Sequence, residues 1–139
     1  MIAFDTDVLS EIFNGKVAYV VRANAIPPEL QFVPIVAAEE ALRGWLDYIR
    51  KVESRKIKAP LPIAYDSLAD QLTKLSRLNT LRYTPLAHEH YLRQKSQKLR
   101  IGTRDLRIAS IALAHDATLI TRNRRDFEIV PTLKLEVWN

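Results

Sequence analysis

Residues Ile101 to Phe127 read IGTRDLRIASIALAHDATLITRNRRDF, and they spell a helix followed by a strand with carboxylates at the ends. Thr103 is placed to act as the helix N-cap, which puts Asp105 in the first turn, where the helix dipole and free backbone N–H groups favour an ionised side chain. Leu106, Ile108, Ala109, Ile111, Ala112 and Leu113 make this helix apolar over more than half its girth. A helix of that kind is mostly buried. Asp116 closes it, in a turn of the left-handed kind that Asp tolerates better than most residues. Ala117 to Thr121 is then too short and too β-branched for another helix and reads as a buried strand. Asn123 and Asp126 stand just beyond its carboxyl end, the edge at which α/β sheets bind ligands.

The amino terminus repeats the pattern. Ile2, Ala3 and Phe4 form an apolar strand that ends at Asp5, and Val8, Leu9, Ile12 and Phe13 recur at helical spacing behind it. Asp5 and Asp7 lie at the junction, where either can also cap the helix. Asn14-Gly15 stops that helix, and a second one over Val17 to Ala25 ends before Pro27-Pro28. Leu30 to Val36 predicts the next strand, and Leu42, Trp45, Leu46 and Ile49 the apolar face of the helix after it. Glu39 and Glu40 open that helix about 100° apart, so only one can face a common centre. Periodicity places Glu39 on the Leu42–Leu46–Ile49 stripe and Glu40 on its flank above Gly44, and does not decide between them.

Arg50 to Lys58 is a charged, solvated helix end, followed by the connector Ala59-Pro60-Leu61-Pro62. Tyr65, Leu68, Leu72 and Leu75 mark an amphipathic helix, Leu81 to Leu86 alternates like a strand, and a helix carrying His88, His90, Tyr91 and Leu92 runs toward Leu99. His88 and His90, two residues apart, point to different helix faces and make a poor metal pair; they and His115 belong to the surface or to packing. Leu133, Leu135 and Val137 alternate with Lys134, Glu136 and Trp138 as a final half-exposed strand.

The chain has 139 residues, no cysteine and a net charge of +5. That length suits one domain spanning residues 1–139 with a core of its own. Without cysteine, neither a disulfide framework nor a zinc knuckle is available. An acidic residue at position 5 and the lack of any long apolar run argue against secretion and membrane insertion and point to the cytoplasm. The basic balance, spread along the chain, favours an anionic partner such as nucleic acid only weakly.

Asp5, one of Glu39 and Glu40, Asp105, and Asp126 or the Asn123 amide all fall at strand ends or in first helical turns. In a parallel sheet those places share one edge. Carboxylates gathered there raise one another's pKa values unless a cation neutralises them. Oxygen ligands without thiol or imidazole suit a hard cation, Mg²⁺ or Mn²⁺, which can activate water and stabilise charge on a phosphate. An acidic metal pocket in a basic protein describes a nuclease.

Three stretches, FDTDVLSEIF (4–13), VAAEEALRGW (36–45) and GTRDLRIASIALAHDATLITRNRRDF (102–127), together resemble the PIN-domain ribonucleases, and in particular the VapC toxins of bacterial toxin–antitoxin pairs. The resemblance implies a three-layer α/β/α fold with a central parallel sheet. It also implies a Mg²⁺- or Mn²⁺-dependent endoribonuclease acting on RNA, held inactive by a cognate antitoxin protein and commonly homodimeric. By position, Asp5 and Asp105 match the family's metal-binding aspartates. Glu40, four residues before Gly44, matches its middle glutamate and is selected over Glu39. Where many members carry a final aspartate this chain has Asn123, with Asp126 three residues on, so both are candidate metal ligands. Thr6 and Thr121 match small hydroxyl residues beside the site, suited to orienting ligands or water. Arg104, Arg107, Arg122, Arg124 and Arg125, close in sequence to the acids, are expected to hold the RNA backbone.

Two other readings compete. Asp5-Thr6-Asp7-Val8 fits the DxDx[TV] signature of haloacid-dehalogenase-type phosphatases, but that leaves Glu40 and Asp105 idle and lacks the lysine and downstream acidic pair those enzymes need. A PIN-like module that binds RNA or protein without catalysis is the other, against which the three matched acids argue.

Overall fold

The computed structural model describes residues 1–139. The chain alternates strands and helices: β1 (Ile2–Phe4), α1 (Thr6–Phe13), α2 (Val17–Asn24), β2 (Gln31–Pro34), α3 (Ile35–Glu53), α4 (Leu61–Ser76), β3 (Asn79–Leu81), α5 (Pro85–Ser96), α6 (Thr103–Ala114), β4 (Thr118–Thr121), α7 (Arg124–Phe127) and β5 (Leu135–Val137). The five strands form one parallel sheet in the order β3-β2-β1-β4-β5. From β1 the chain first steps outward to β2 and β3, then crosses back to β4 on β1's other side. Right-handed crossovers running in opposite directions place their helices on opposite faces, giving the three-layer α/β/α arrangement. The reversal between β1 and β4 opens a crevice at their carboxyl ends.

Register fixes what meets there. Phe4 pairs with Ile120 and the Asp5 N–H donates to the Ile120 carbonyl at 2.9 Å, so Asp5 and Thr121 emerge side by side. Beneath them lies the main core, in which Phe4, Val8, Leu9, Ile108, Ile111, Leu119 and Ile120 are almost wholly buried. A satellite of Ile49, Val52 and Ala64 joins α3 to α4 beyond the sheet.

Several elements depart from the sequence pattern, each for a local reason. The strand expected over Leu30–Val36 is Gln31–Pro34; Pro34 is extended at φ −61°, ψ 136° and heads α3, so Ile35 and Val36 belong to the helix. The strand expected over Leu81–Leu86 is Asn79–Leu81. Pro85 instead starts α5, where its missing N–H is harmless, and the Thr84 hydroxyl accepts the Ala87 N–H at 3.1 Å. At α6 the cap position is Gly102 and Thr103 is the first helical residue, without a side-chain cap bond. Along α4 the inward positions are Ala64, Leu68, Gln71 and Leu75, while Tyr65 and Leu72 are exposed. The last strand spans only Leu135–Val137. Trp138 is buried rather than the exposed partner in an alternation, with its ring against Phe4 and Tyr19 at 5.9 and 6.1 Å. Asp116 takes the left-handed turn expected of it, at φ 53°.

Candidate active site

Asp5 is the centre of the crevice. Its Oδ1 accepts the Thr6 N–H at 2.7 Å, capping α1, and its Oδ2 accepts the Thr121 hydroxyl at 2.7 Å. Thr121 Oγ1 in turn accepts the Asn123 N–H at 3.0 Å, tying the end of β4 to the end of β1. A surface cap would leave the carboxylate in water; Asp5 is 5% exposed. Burial outweighs both hydrogen bonds and, with the charges of Asp105 and Asp7, pushes the Asp5 carboxyl up to about 6.

The structure separates the paired glutamates. Glu39 is exposed and ion-paired one turn on with Arg43 at 2.7 Å. Glu40 turns inward beside Thr6, and Glu40 Oε1 and Thr6 Oγ1 are both buried without a hydrogen-bond partner. Burial and then the Asp105 charge raise the Glu40 carboxyl, against a smaller opposing pull from Arg104. The periodic stripe misled because Leu42 and Leu46 are solvent-exposed, at 37% and 40%; the inward side of α3 runs through Ala37, Ala38, Ala41 and Trp45.

Asp105 sits half-buried in the first turn of α6, raised by burial and then by Asp126 and Asp7. Asn123 caps the short α7: its Oδ1 accepts the Asp126 N–H at 3.2 Å, and its Nδ2 donates to Asp126 Oδ2 at 2.6 Å. The amide oxygen considered as a ligand is thus engaged within α7, and the same residue holds the Asp126 carboxylate.

Asp7 is the acid that pattern reading undervalued. It is exposed on α1, yet its charge helps raise Asp5, Glu40 and Asp105 alike. The available signal was the Asp5-Thr6-Asp7 doublet at a strand's carboxyl end. Of the five arginines, Arg107 lies over the Tyr91 ring at 5.2 Å. Arg122 pairs with Glu11 at 3.2 Å and covers Tyr19 at 5.8 Å. Arg104, Arg124 and Arg125 face solvent around the acids. The histidines stand apart, His88 hydrogen-bonded to the Tyr83 hydroxyl at 2.9 Å and His115 to the Arg82 carbonyl at 3.1 Å.

Residues 2–133 match the sequence profile of the family described as PIN domain. The chain belongs to the PIN-domain family. Among relatives, Ribonuclease VapC2 of Rickettsia felis is 41% identical over 71 residues, covering 47% of this chain and 52% of that protein. The chain thus spans about half the length of that curated relative in the match. Two solved structures superpose over 100% of both chains: VapBC2 from Rickettsia felis bound to a promoter DNA fragment, with TM-score 0.76 and 24% identity, and DNA-bound VapBC from Salmonella typhimurium, with TM-score 0.79 and 23% identity. At those identities the likeness concerns the fold.

Membership displaces the phosphatase reading of Asp5-Thr6-Asp7-Val8. The donor set, carboxylates of Asp5, Glu40 and Asp105 with the Thr6 hydroxyl, is all oxygen and fits a hard divalent cation. No three acidic side chains converge on one point as they stand, so common ligation requires side-chain rotation.

Proposed function

We infer that this PIN domain is a Mg²⁺- or Mn²⁺-dependent endoribonuclease that hydrolyses RNA phosphodiester bonds as the toxin of a type II toxin–antitoxin pair. The observation that carries the reading is electrostatic: Asp5, Glu40 and Asp105, drawn from three elements to one crevice, are all raised, and each by another acid besides burial. Such a site is uncompensated until a cation neutralises it. The family and the relative named Ribonuclease VapC2 support the choice of RNA.

In this reading Asp5, Glu40 and Asp105 hold the ion, and Thr6 and Thr121 fix the Asp5 carboxylate. Asp126, held by Asn123, completes the negative side of the site. A bound Mg²⁺ or Mn²⁺ supplies water activation and charge stabilisation at the reacting phosphate. Arg104, Arg124 and Arg125 hold the RNA backbone, and Arg107 and Arg122, committed to Tyr91 and Glu11, add to the positive field. A cognate antitoxin and a second copy of the chain in a homodimer are the protein partners, in keeping with the VapBC complexes that share the fold. No helix is long and apolar enough to cross a membrane, and the cytoplasm is the compartment proposed.

The glutamate pair tests the site directly. Glu40→Gln should abolish RNA cleavage by the purified chain, and Glu39→Gln, which breaks only an exposed ion pair, should cut at the wild-type rate. The reverse result would refute the assignment. A second test uses Asn123→Asp, which sets a new carboxylate against Asp126 Oδ2. Without divalent ions it should lose about 1–3 kcal/mol of stability, the cost of exchanging a good hydrogen bond for an opposed pair, and Mg²⁺ should restore it. Denaturant titrations that stay the same with and without Mg²⁺ would place Asp126 outside the metal site.

A further inference from the structure

A cleft of about 380 Å³ lies between α1, α3 and α4 and opens onto the acidic site, because Thr6 and Glu40 line it. Its volume is in the range that holds small molecules or parts of larger ones. Gly44 forms part of its wall in the interior of the 19-residue helix α3, where glycine is among the least favourable residues. Neither backbone nor packing calls for it: its φ is not positive, and an added Cβ would meet no atom within 4 Å. What Gly44 provides is space beside Glu40.

The chemistry of the walls narrows what the space is for. Ser10 of α1, Asn14 at its C-terminal cap, and Ser67 and Gln71 of α4 offer neutral donors and acceptors, and Gln71 Oε1 is buried without a partner. Trp45 and Tyr48 add aromatic surface, with the Trp45 ring anchored by stacking on Phe13 at 6.3 Å. No lysine or arginine lines the cleft, so it does not suit a phosphate. Uncharged hydrogen-bonding groups beside aromatic rings are how proteins read splayed bases of single-stranded RNA.

We propose that this cleft seats the base of a nucleotide adjoining the cleaved phosphodiester, with Gly44 leaving room for the ring, Trp45 and Tyr48 against it, and Gln71 with Asn14 reading its edge. The proposal rests on the nuclease reading and adds to it a determinant of sequence preference. The competing occupant is a protein arm reaching toward Glu40.

The test compares the full-length wild type with Gly44→Leu, Gly44→Ala and Gln71→Leu, each checked for folding by denaturation. Substrates are short single-stranded RNAs of varied sequence, and the same RNAs with an abasic nucleotide on either side of the cut. Wild type should show a KM about tenfold or more higher when one flanking base is removed, in line with the loss of a stacked base. Gly44→Leu should collapse that ratio of intact to abasic RNA toward one, and Gly44→Ala should do so in part. Gln71→Leu should relax the base preference about tenfold, the worth of one buried polar contact. If wild type cuts RNA but all three variants keep its ratio and preference, the base pocket is overturned and the nuclease reading stands. Loss of inhibition by a purified cognate antitoxin in those same variants would then assign the cleft to protein docking. If wild type cuts no RNA with Mg²⁺ or Mn²⁺, the nuclease reading falls and takes this one with it.

Discussion

Asp105→Asn, and separately Asp5→Asn, should lower RNA cleavage by at least about 10²-fold while the chain stays folded, the usual scale for removing one group that stabilises developing charge. The two residues lie on different elements, α6 and the end of β1, and what joins them is the crevice between β1 and β4. Asp105→Asn is the cleaner of the two, because Asp105 is half-exposed and no side-chain hydrogen bond holds it; its carboxyl is raised by burial and by neighbouring acids. An amide keeps the shape and removes the charge that a divalent cation would neutralise. Single-turnover cleavage of an RNA oligonucleotide at saturating Mg²⁺ measures the loss, and full activity in either variant would contradict the site.

The aspartate at the end of β1 should also make the ion-free protein pH-sensitive. In the fold the Asp5 carboxyl is raised from 3.8 to about 6, so the folded chain holds its proton more tightly than the unfolded chain does. Below about pH 4 both states are protonated and no penalty exists. Between about pH 4 and 6 stability falls because the unfolded chain's carboxyl ionises while the buried one keeps its proton, and above about pH 6, where both are ionised, the whole penalty is present, at most about 3 kcal/mol. Asp5→Asn should therefore unfold at higher denaturant than wild type at about pH 8 in EDTA, and lose that advantage by about pH 4. The amide introduced by this substitution would keep an acceptor for the Thr6 N–H, and Thr121 Oγ1 can accept in place of donating. Mg²⁺ should narrow the gap at the alkaline end by stabilising wild type alone. A variant less stable than wild type at every pH would mean that the two hydrogen bonds of Asp5 outweigh its burial.

What could be read from sequence depended on how local the cause was. Asp5 and Asp105 were legible because a strand end and a first helical turn are short-range patterns, and parallel pairing then brings them together. Asn123 and Asp126 were both legible as candidates beyond β4, but not the hydrogen bonds by which Asn123 caps α7 and holds the Asp126 carboxylate. Glu40 was not legible from periodicity. Leu42 and Leu46 imitate a buried stripe although they face solvent, and only the spacing to Gly44, through the family resemblance, selected the glutamate that faces inward. Trp138 was misjudged because its burial comes from Phe4 and Tyr19, far away in sequence. The limits of β2 and β3 moved because Pro34 and Pro85 each stand at the head of a helix, where a fixed φ and a missing N–H do no harm.

The most direct measurement is the rate at which the purified chain cuts single-stranded RNA as Mg²⁺ or Mn²⁺ is titrated into metal-stripped protein, with Glu40→Gln beside it. Wild type should be inactive in EDTA, gain activity with the added cation and lose it again on chelation, while Glu40→Gln stays inactive throughout. Cleavage that persists undiminished in EDTA, or a wild type that leaves RNA intact at every cation concentration, would contradict a metal-dependent ribonuclease built on Asp5, Glu40 and Asp105.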